Sequence, residues 1–148
     1  MRITYNILGC VFATVILLGC VRKNDVLDPI TTPPGGKTDS LGATLKVTPQ
    51  HHKVTINAGM VYIKYAAKTM PASMDMYDDS MTVASSAAMF DSLTQGDYYI
   101  YAIGHDYSLQ QGSDVVYGGA YFHIIDSAEI TYDLYLQLDN PNHHDYRR

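Results

Sequence analysis

The residues of this chain with chemical potential are a run of aspartates, six histidines and thirteen tyrosines. Asp75, Asp78 and Asp79 stand close together, and a group of carboxylate oxygens is what a hard cation such as Ca²⁺ takes. Their spacing is not that of an EF-hand loop, so the segment reads as a solvated acidic loop, and no metal or cofactor is assigned. His51-His52 and His143-His144 are adjacent pairs. On a strand, neighbouring side chains point to opposite faces, which makes each pair a poor chelate. His105-Asp106 and His123 are better placed to share a metal, and otherwise belong on the surface of a hairpin.

Covalent catalysis finds no footing. The chain has no Gly-x-Ser-x-Gly elbow, and Ser85, Ser86 and Ser92 lie in an expected strand region without a nearby histidine. Its single glutamate, Glu129, falls on the polar face of another expected strand. No phosphate loop, zincin motif or dinucleotide fingerprint is present. The expectation is a protein that is not an enzyme.

Tyrosine is the unusual feature, abundant in a chain with no tryptophan. Tyr98, Tyr99, Tyr101, Tyr107, Tyr117 and Tyr121 cluster on an expected hairpin. Alternation sends Tyr98 and Ile100 to one face and Tyr99, Tyr101 and Ile103 to the other. Exposed together, Tyr99, Tyr101, Tyr117 and Tyr121 would make an aromatic strip of the kind that binds sugars or partner proteins. Packed across strands, the same rings would only brace the sheet.

The elements that carry these residues begin with an export signal. Met1-Arg2 gives a positive start, and Ile7 to Gly19 is a run of apolar and small residues broken only by Thr14. The run is shorter than the about 20 residues needed to span a bilayer, and it has the form of a signal-peptide core. It ends in Leu17-Leu18-Gly19-Cys20, which resembles the lipobox of bacterial lipoproteins. That resemblance implies cleavage between Gly19 and Cys20 and a diacylglyceryl group on the Cys20 thiol. Residues 1–19 are therefore expected to leave, taking Cys10 with them. With Cys20 lipidated, no internal disulfide is open to the mature chain.

Val21 is not the aspartate that holds a lipoprotein at the inner membrane. In a Gram-negative host the expected place is the outer membrane, facing either the periplasm or the cell surface. The partner implied first is thus the membrane, reached through the lipid anchor. Residues 20–42, with Pro29, Pro33, Pro34, Gly35 and Gly36, hold too few apolar side chains to offset the entropy of ordering. They read as a disordered tether averaging about 26 Å as a coil. The chain carries 10 Lys and Arg against 15 Asp and Glu, and loses Arg2 with the signal. An acidic surface argues against nucleic acid.

Residues 43–140 form the expected domain, and 141–148 a flexible tail. The hydrophobic period is two nearly throughout. Ile130, Tyr132, Leu134, Leu136 and Leu138 alternate with Glu129, Thr131, Asp133 and Gln137, as Val61 and Ile63 do with Tyr62 and Lys64. Tyr98–Ile103 and Val115–Ile125 are more continuous, as in central strands. The expected architecture is all-β, a single antiparallel β-sandwich of about seven strands.

Phe90-x-x-Leu93-x-x-Gly96-x-Tyr98-x-Ile100-x-Ala102 resembles the most recognisable stretch of carboxypeptidase-regulatory-like domains, prealbumin-like sandwiches related to the Cna-B type. Ala58-Gly59-Met60-Val61-Tyr62-Ile63 is similar to their small-residue-led strand. The likeness runs from Val54 to Asp106, roughly half of the domain. It implies that Gly96 lets the chain turn sharply and that Tyr98 plugs the end of the sandwich. The family's Asp-x-x-Gly turn is replaced here by Ala84-Ser85-Ser86-Ala87-Ala88, which implies a looser turn or offset strands. The Thr69 to Ser80 insert is also longer than in the shortest members. Such domains act as structural, spacer or binding modules. The expectation is a non-enzymatic cell-envelope lipoprotein with a protein-binding or structural module; the alternative is a glycan-binding surface lipoprotein using the tyrosine strip.

Overall fold

The structure, a computed structural model, describes residues 34–109 and 114–140. Gly19, Cys20, most of the tether, the Gly112-Ser113 turn and the 141–148 tail with His143-His144 lie outside the described residues.

Alternation builds the strands. In β1 (Ala43–His51) every odd-numbered residue is buried and every even-numbered one is at least partly exposed, so one pleated face meets the core. Seven strands follow: β2 (Val54–Thr55), β3 (Gly59–Tyr65), β4 (Asp79–Thr82), β5 (Ala88–Leu93), β6 (Gly96–His105), β7 (Val115–Ile124) and β8 (Thr131–Gln137). One sheet gathers β2, β5 and β8 around β1, and the other runs β4-β3-β6-β7. The inner faces of the two sheets share a core in which Leu45, Ile63, Phe90, Ile100, Val116 and Leu136 are each at most 2% exposed. Burying each such side chain is worth about 1.5–3 kcal/mol, and this core must hold the sandwich without a disulfide.

The architecture is the expected all-β sandwich, with three departures. Among the described residues there are eight strands, because the two-residue β2 closes a hairpin with β1. The pairing is mixed, because β8 lies parallel to β1 from Thr44↔Thr131 to Gln50↔Gln137. A parallel pair needs a long crossover, and here almost the whole domain is the crossover between its first and last strands. Finally, β7 is no central strand. It pairs with β6 alone among the described strands, and a bridge between Tyr117 and Asp139 links it to the chain just after β8.

The corners explain how so few glycines suffice. His52 and Lys53 both take positive φ (50° and 68°) in the β1–β2 turn, the conformation that matches strand twist. Ser85 and Ser86 do the same (50° and 81°), and Ala84 and Ala87 exchange backbone hydrogen bonds of 2.9 and 3.2 Å. The turn expected to be loose is therefore tight, and it carries the chain from one sheet to the other. Ser86 Oγ donates to Asn57 Oδ1 at 2.8 Å, which helps to hold that backbone. Ser92, at φ 59°, marks a bulge where the β1–β5 register shifts.

Part of the segment before β1 touches the sandwich. Gly35 is buried, and Lys37 bridges to Leu93. A Cβ on Gly35 would lie 2.4 Å from the Asp97 carbonyl oxygen and 2.7 Å from the Tyr98 ring, so only glycine lets the backbone approach this closely. Within the described part, Gly36 and Thr38 are tied to the sandwich end by hydrogen bonds with Tyr98, Thr94 and Ser92, while Asp39, Ser40 and Leu41 are exposed.

Candidate functional site

The outer face of the β4-β3-β6-β7 sheet gathers most of the tyrosines. Register sets Tyr62 opposite Tyr101 and Tyr101 opposite Gly119; the next row is Lys64, Tyr99 and Tyr121. On the other side, Met60, Ile103 and Tyr117 form a row. Lacking a side chain, Gly119 gives Tyr99 room to lie across β7: a Cβ there would be 2.7 Å from the Tyr99 hydroxyl.

The insert adds a ring of its own. A 3-10 turn at Met74–Met76 delivers Tyr77 onto this face. Its ring centroid lies 5.7 Å from that of Tyr62 and 6.1 Å from that of Tyr101, while Tyr101 stands 6.3 Å from Tyr62 and 6.4 Å from Tyr117. Tilted rings at these distances attract one another. Of the four strip residues expected from the sequence, Tyr101 is buried at 9% exposure, Tyr99 is half-buried, and Tyr117 and Tyr121 stay open at 39% and 44%. The strip is thus covered at its middle and open on β7.

The hydroxyls divide into two sets. Tyr121 donates to Asp97 Oδ1 at 2.6 Å, an oxygen that also meets His123 Nδ1 at 2.8 Å, while Lys68 Nζ lies 3.3 Å from Asp97 Oδ2. The Tyr121 hydrogen bond, with those from His123 and Lys68, holds the Asp97 carboxyl below its ordinary value against the effect of burial. The same bond raises the Tyr121 phenol. In contrast, the hydroxyls of Tyr62, Tyr99, Tyr101 and Tyr117 make no hydrogen bond among the described residues, and the Tyr77 hydroxyl is buried without a partner. Burial, then the neighbouring Tyr99 and Tyr101 phenols, pushes Tyr77 up to about 12. Burial also raises Tyr101, with Tyr117, Tyr62 and Tyr99 adding to the effect. Crowded phenols resist ionising, so the group stays neutral.

Beside Tyr62 and Tyr77 opens a pocket of about 300 Å³, completed by Met74, Ser80 and the three aspartates of the insert. Those carboxylates already have partners. Asp78 is held by Lys64 Nζ at 2.8 Å and by the Tyr65 N–H at 2.6 Å. Asp79 is met by Lys37 Nζ at 3.1 Å and the Ser80 N–H at 2.8 Å, and Asp75 accepts from Ser73 Oγ. A Ca²⁺ ion would have to displace two lysines. No group of three metal-ligating side chains occurs among the described residues.

The histidines are drawn to separate carboxylates. His51 Nδ1 lies 2.7 Å from Asp106 Oδ2 in a buried pair, His105 Nδ1 is 3.2 Å from Asp114, and His123 belongs to Asp97. His105 also stacks on Tyr107, with ring centroids 5.8 Å apart. Ser108 Oγ donates to Asp106 Oδ1 at 2.6 Å, so the aspartate rather than the histidine holds the serine. A serine nucleophile needs the histidine as its base, and this order does not provide it.

Tyr62 was readable from the alternation of β3, where it faces away from Val61 and Ile63. Tyr77 carried no such signal, because the insert has no period. Among the described residues no helix is long and apolar enough to cross a membrane. No family model matches the chain, and no curated protein or solved structure matches it either.

Proposed function

We propose that this chain is a non-enzymatic lipoprotein of the cell envelope, anchored by lipid on Cys20 and exposing a prealbumin-like sandwich as a binding module. The lipobox ending at Gly19-Cys20 supports the anchor, and the absence of aspartate at Val21 supports the outer membrane. One observation carries the binding role. An antiparallel sheet with an open face ordinarily presents polar side chains there. Here the outward positions of β3, β6 and β7 hold Met60, Tyr62, Tyr99, Tyr101, Ile103, Tyr117 and Tyr121. A concentration of aromatic surface of this kind marks recognition surfaces.

The test is made in a Gram-negative host expressing the full chain. Membrane fractionation with Cys20→Ala as the comparison should remove the protein from the outer-membrane fraction. A photo-crosslinker at Tyr117 should capture an envelope component that one at Tyr135, on the other sheet, does not. Equal capture at both positions, or an outer-membrane location untouched by Cys20→Ala, would sink the reading.

A further inference from the structure

We propose that the end of the sandwich where the tether arrives docks on a zwitterionic phospholipid surface through Leu41, Ile125 and Ile130. The inference rests on the lipid anchor at Cys20 and adds a second contact between the domain and the same membrane.

Placement is the first argument. Among the described residues, the exposed leucine and isoleucines are Leu41, Ile125 and Ile130, at 78%, 70% and 40%. Topology brings all three to one end. Leu41 precedes β1, Ile130 precedes the parallel strand β8, and the Thr44 N–H donates to the Ile130 carbonyl at 2.9 Å. Ile125 follows β7, whose last residue, Ile124, pairs with Gly96 at the start of β6. The Tyr132 hydroxyl ties the Asp126 backbone to β8, so Ile125 and Ile130 share one short connection. Leu41 and Ile130 keep the inward parity of β1 and β8, yet they stand one step beyond Ala43 and Tyr132, where the core ends. Aliphatic side chains scattered singly over a surface need no explanation; gathered at one end, they mark a contact.

The tether decides what that contact is. The Thr38 N–H donates to the Ser92 carbonyl at 2.8 Å and the Thr94 N–H to the Gly36 carbonyl at 2.9 Å. Leu93, between them, pairs with Ala43 at the start of β1, so the chain from Cys20 reaches the domain at this same end. Residues 21–33 lie between Cys20 and the described chain, which sets a span of at most about 50 Å. Lipid on Cys20 thus keeps this end near the bilayer and raises its effective concentration there, so weak apolar contacts suffice.

Charge and size narrow the surface. Lys37 meets Asp79 at 3.1 Å and Lys68 meets Asp97 at 3.3 Å, while Asp126 and Glu129 stand between Ile125 and Ile130. With no positive excess, this end gains nothing from anionic headgroups, which attract clusters of lysine and arginine. A protein partner would need about 800 Å² of matched surface, centred on aromatic or arginine anchors. Leu41, Ile125 and Ile130 are aliphatic tips on separate segments, and a fluid acyl layer accepts them without a matched shape. Docked this way, the strands stand upright on the bilayer, and the tyrosine face of β3, β6 and β7 opens to the side.

The experiment uses the full lipidated chain in phosphatidylcholine vesicles. On the proposed reading Cys10 leaves with the signal and Cys20 carries lipid, so a cysteine introduced in the domain is the one free thiol. A bimane is attached at Ile125→Cys, and separately at Val54→Cys, an exposed site in β2 at the opposite end. Nitroxide-bearing phosphatidylcholine should quench the Ile125 probe, whose emission should also shift to the blue, and leave the Val54 probe unchanged. Leu41→Ser together with Ile130→Ser should weaken quenching at Ile125. Both positions are exposed, so an unchanged thermal midpoint is the folding control.

Equal quenching at both ends, no quenching at Ile125 in chains that float with the vesicles, or quenching indifferent to the two serines overturns the docking and leaves the anchor standing. A photo-crosslinker at Ile125 that captures a protein in place of lipid does the same. Chains that neither float nor carry acyl mass on Cys20 remove the anchor, and the docking with it.

Discussion

The Tyr98 hydroxyl clasps the backbone of Gly36, accepting from its N–H at 2.9 Å and lying 2.9 Å from its carbonyl oxygen. The same hydroxyl reaches the Thr94 carbonyl at 2.6 Å. A phenol has one hydrogen, so the two carbonyls share it, with Thr94 the nearer. The clasp joins the start of the described chain to the β5–β6 corner. On the proposed lipid anchor, it is the point where a pull on the tether enters the sandwich.

Tyr98→Phe should therefore cost about 1–3 kcal/mol, since it strands buried backbone groups that the hydroxyl satisfies. The loss should be local as well as global. Amide exchange at Gly36 and Thr38 should quicken more than at Val61 in β3. Urea unfolding and hydrogen exchange measure the two effects, and uniform acceleration would mean that the clasp does not hold the segment separately.

How much of this was legible depends on the range of the signal. The inward faces of β1, β3 and β8 follow from alternation, because a half-buried strand writes its burial into every second residue. Parallel pairing of β1 with β8 leaves no such mark, since it depends on partners at opposite ends of the domain. The tightness of the Ser85-Ser86 turn leaves no mark in the sequence, because serine, not glycine, holds its positive φ. Gly35 reads as tether because its missing Cβ matters only against the Asp97 carbonyl and the Tyr98 ring, which are distant in sequence. Tyr99 and Tyr101 were placed on the outer face by alternation, but the lid over Tyr101 comes from Tyr77, in an insert without period.

Acid should weaken the sandwich through Asp106. Burial alone would raise this carboxyl, but hydrogen bonds from Ser108 and His51 outweigh it and hold it below the ordinary range. A group depressed in the fold stabilises fully above its unfolded value, about 4, and loses that contribution as pH falls through the folded value. Urea midpoints should fall with acid below this range, and Asp106→Asn should show a shallower decline. At neutral pH that variant should lose about 1–3 kcal/mol, because the amide replaces charged hydrogen bonds with weaker ones. Parallel pH curves for the two proteins would assign the acid sensitivity elsewhere.

Alkali should act through Tyr65 and Tyr77. Burial raises Tyr65 to about 12, with Asp79 and Asp78 adding to it, and Tyr77 reaches about 12 by burial and its neighbouring phenols. A phenol raised in the fold favours the neutral form, so its contribution is complete below the unfolded value of about 10 and is lost as pH climbs through the folded one. Phenolate absorbance should show a late-titrating fraction, and the domain should loosen as that fraction ionises. Asp79→Asn should bring part of the late fraction forward. A single titration near the ordinary tyrosine value would contradict the crowding of these rings.

Tyr77→Phe tests whether the orphan hydroxyl is a cost to the fold. Without a ligand, a buried hydroxyl with no partner is a desolvation loss of about 1–3 kcal/mol, and phenylalanine avoids it. The variant should thus unfold at equal or higher urea, by up to about 1 kcal/mol in stability once packing relaxes. The same chemical change at Tyr98 should do the reverse, because that hydroxyl is satisfied. Two Tyr→Phe substitutions with opposite signs would separate a satisfied hydroxyl from an orphaned one. If Tyr77→Phe instead destabilises as Tyr98→Phe does, the Tyr77 hydroxyl is satisfied within the folded protein.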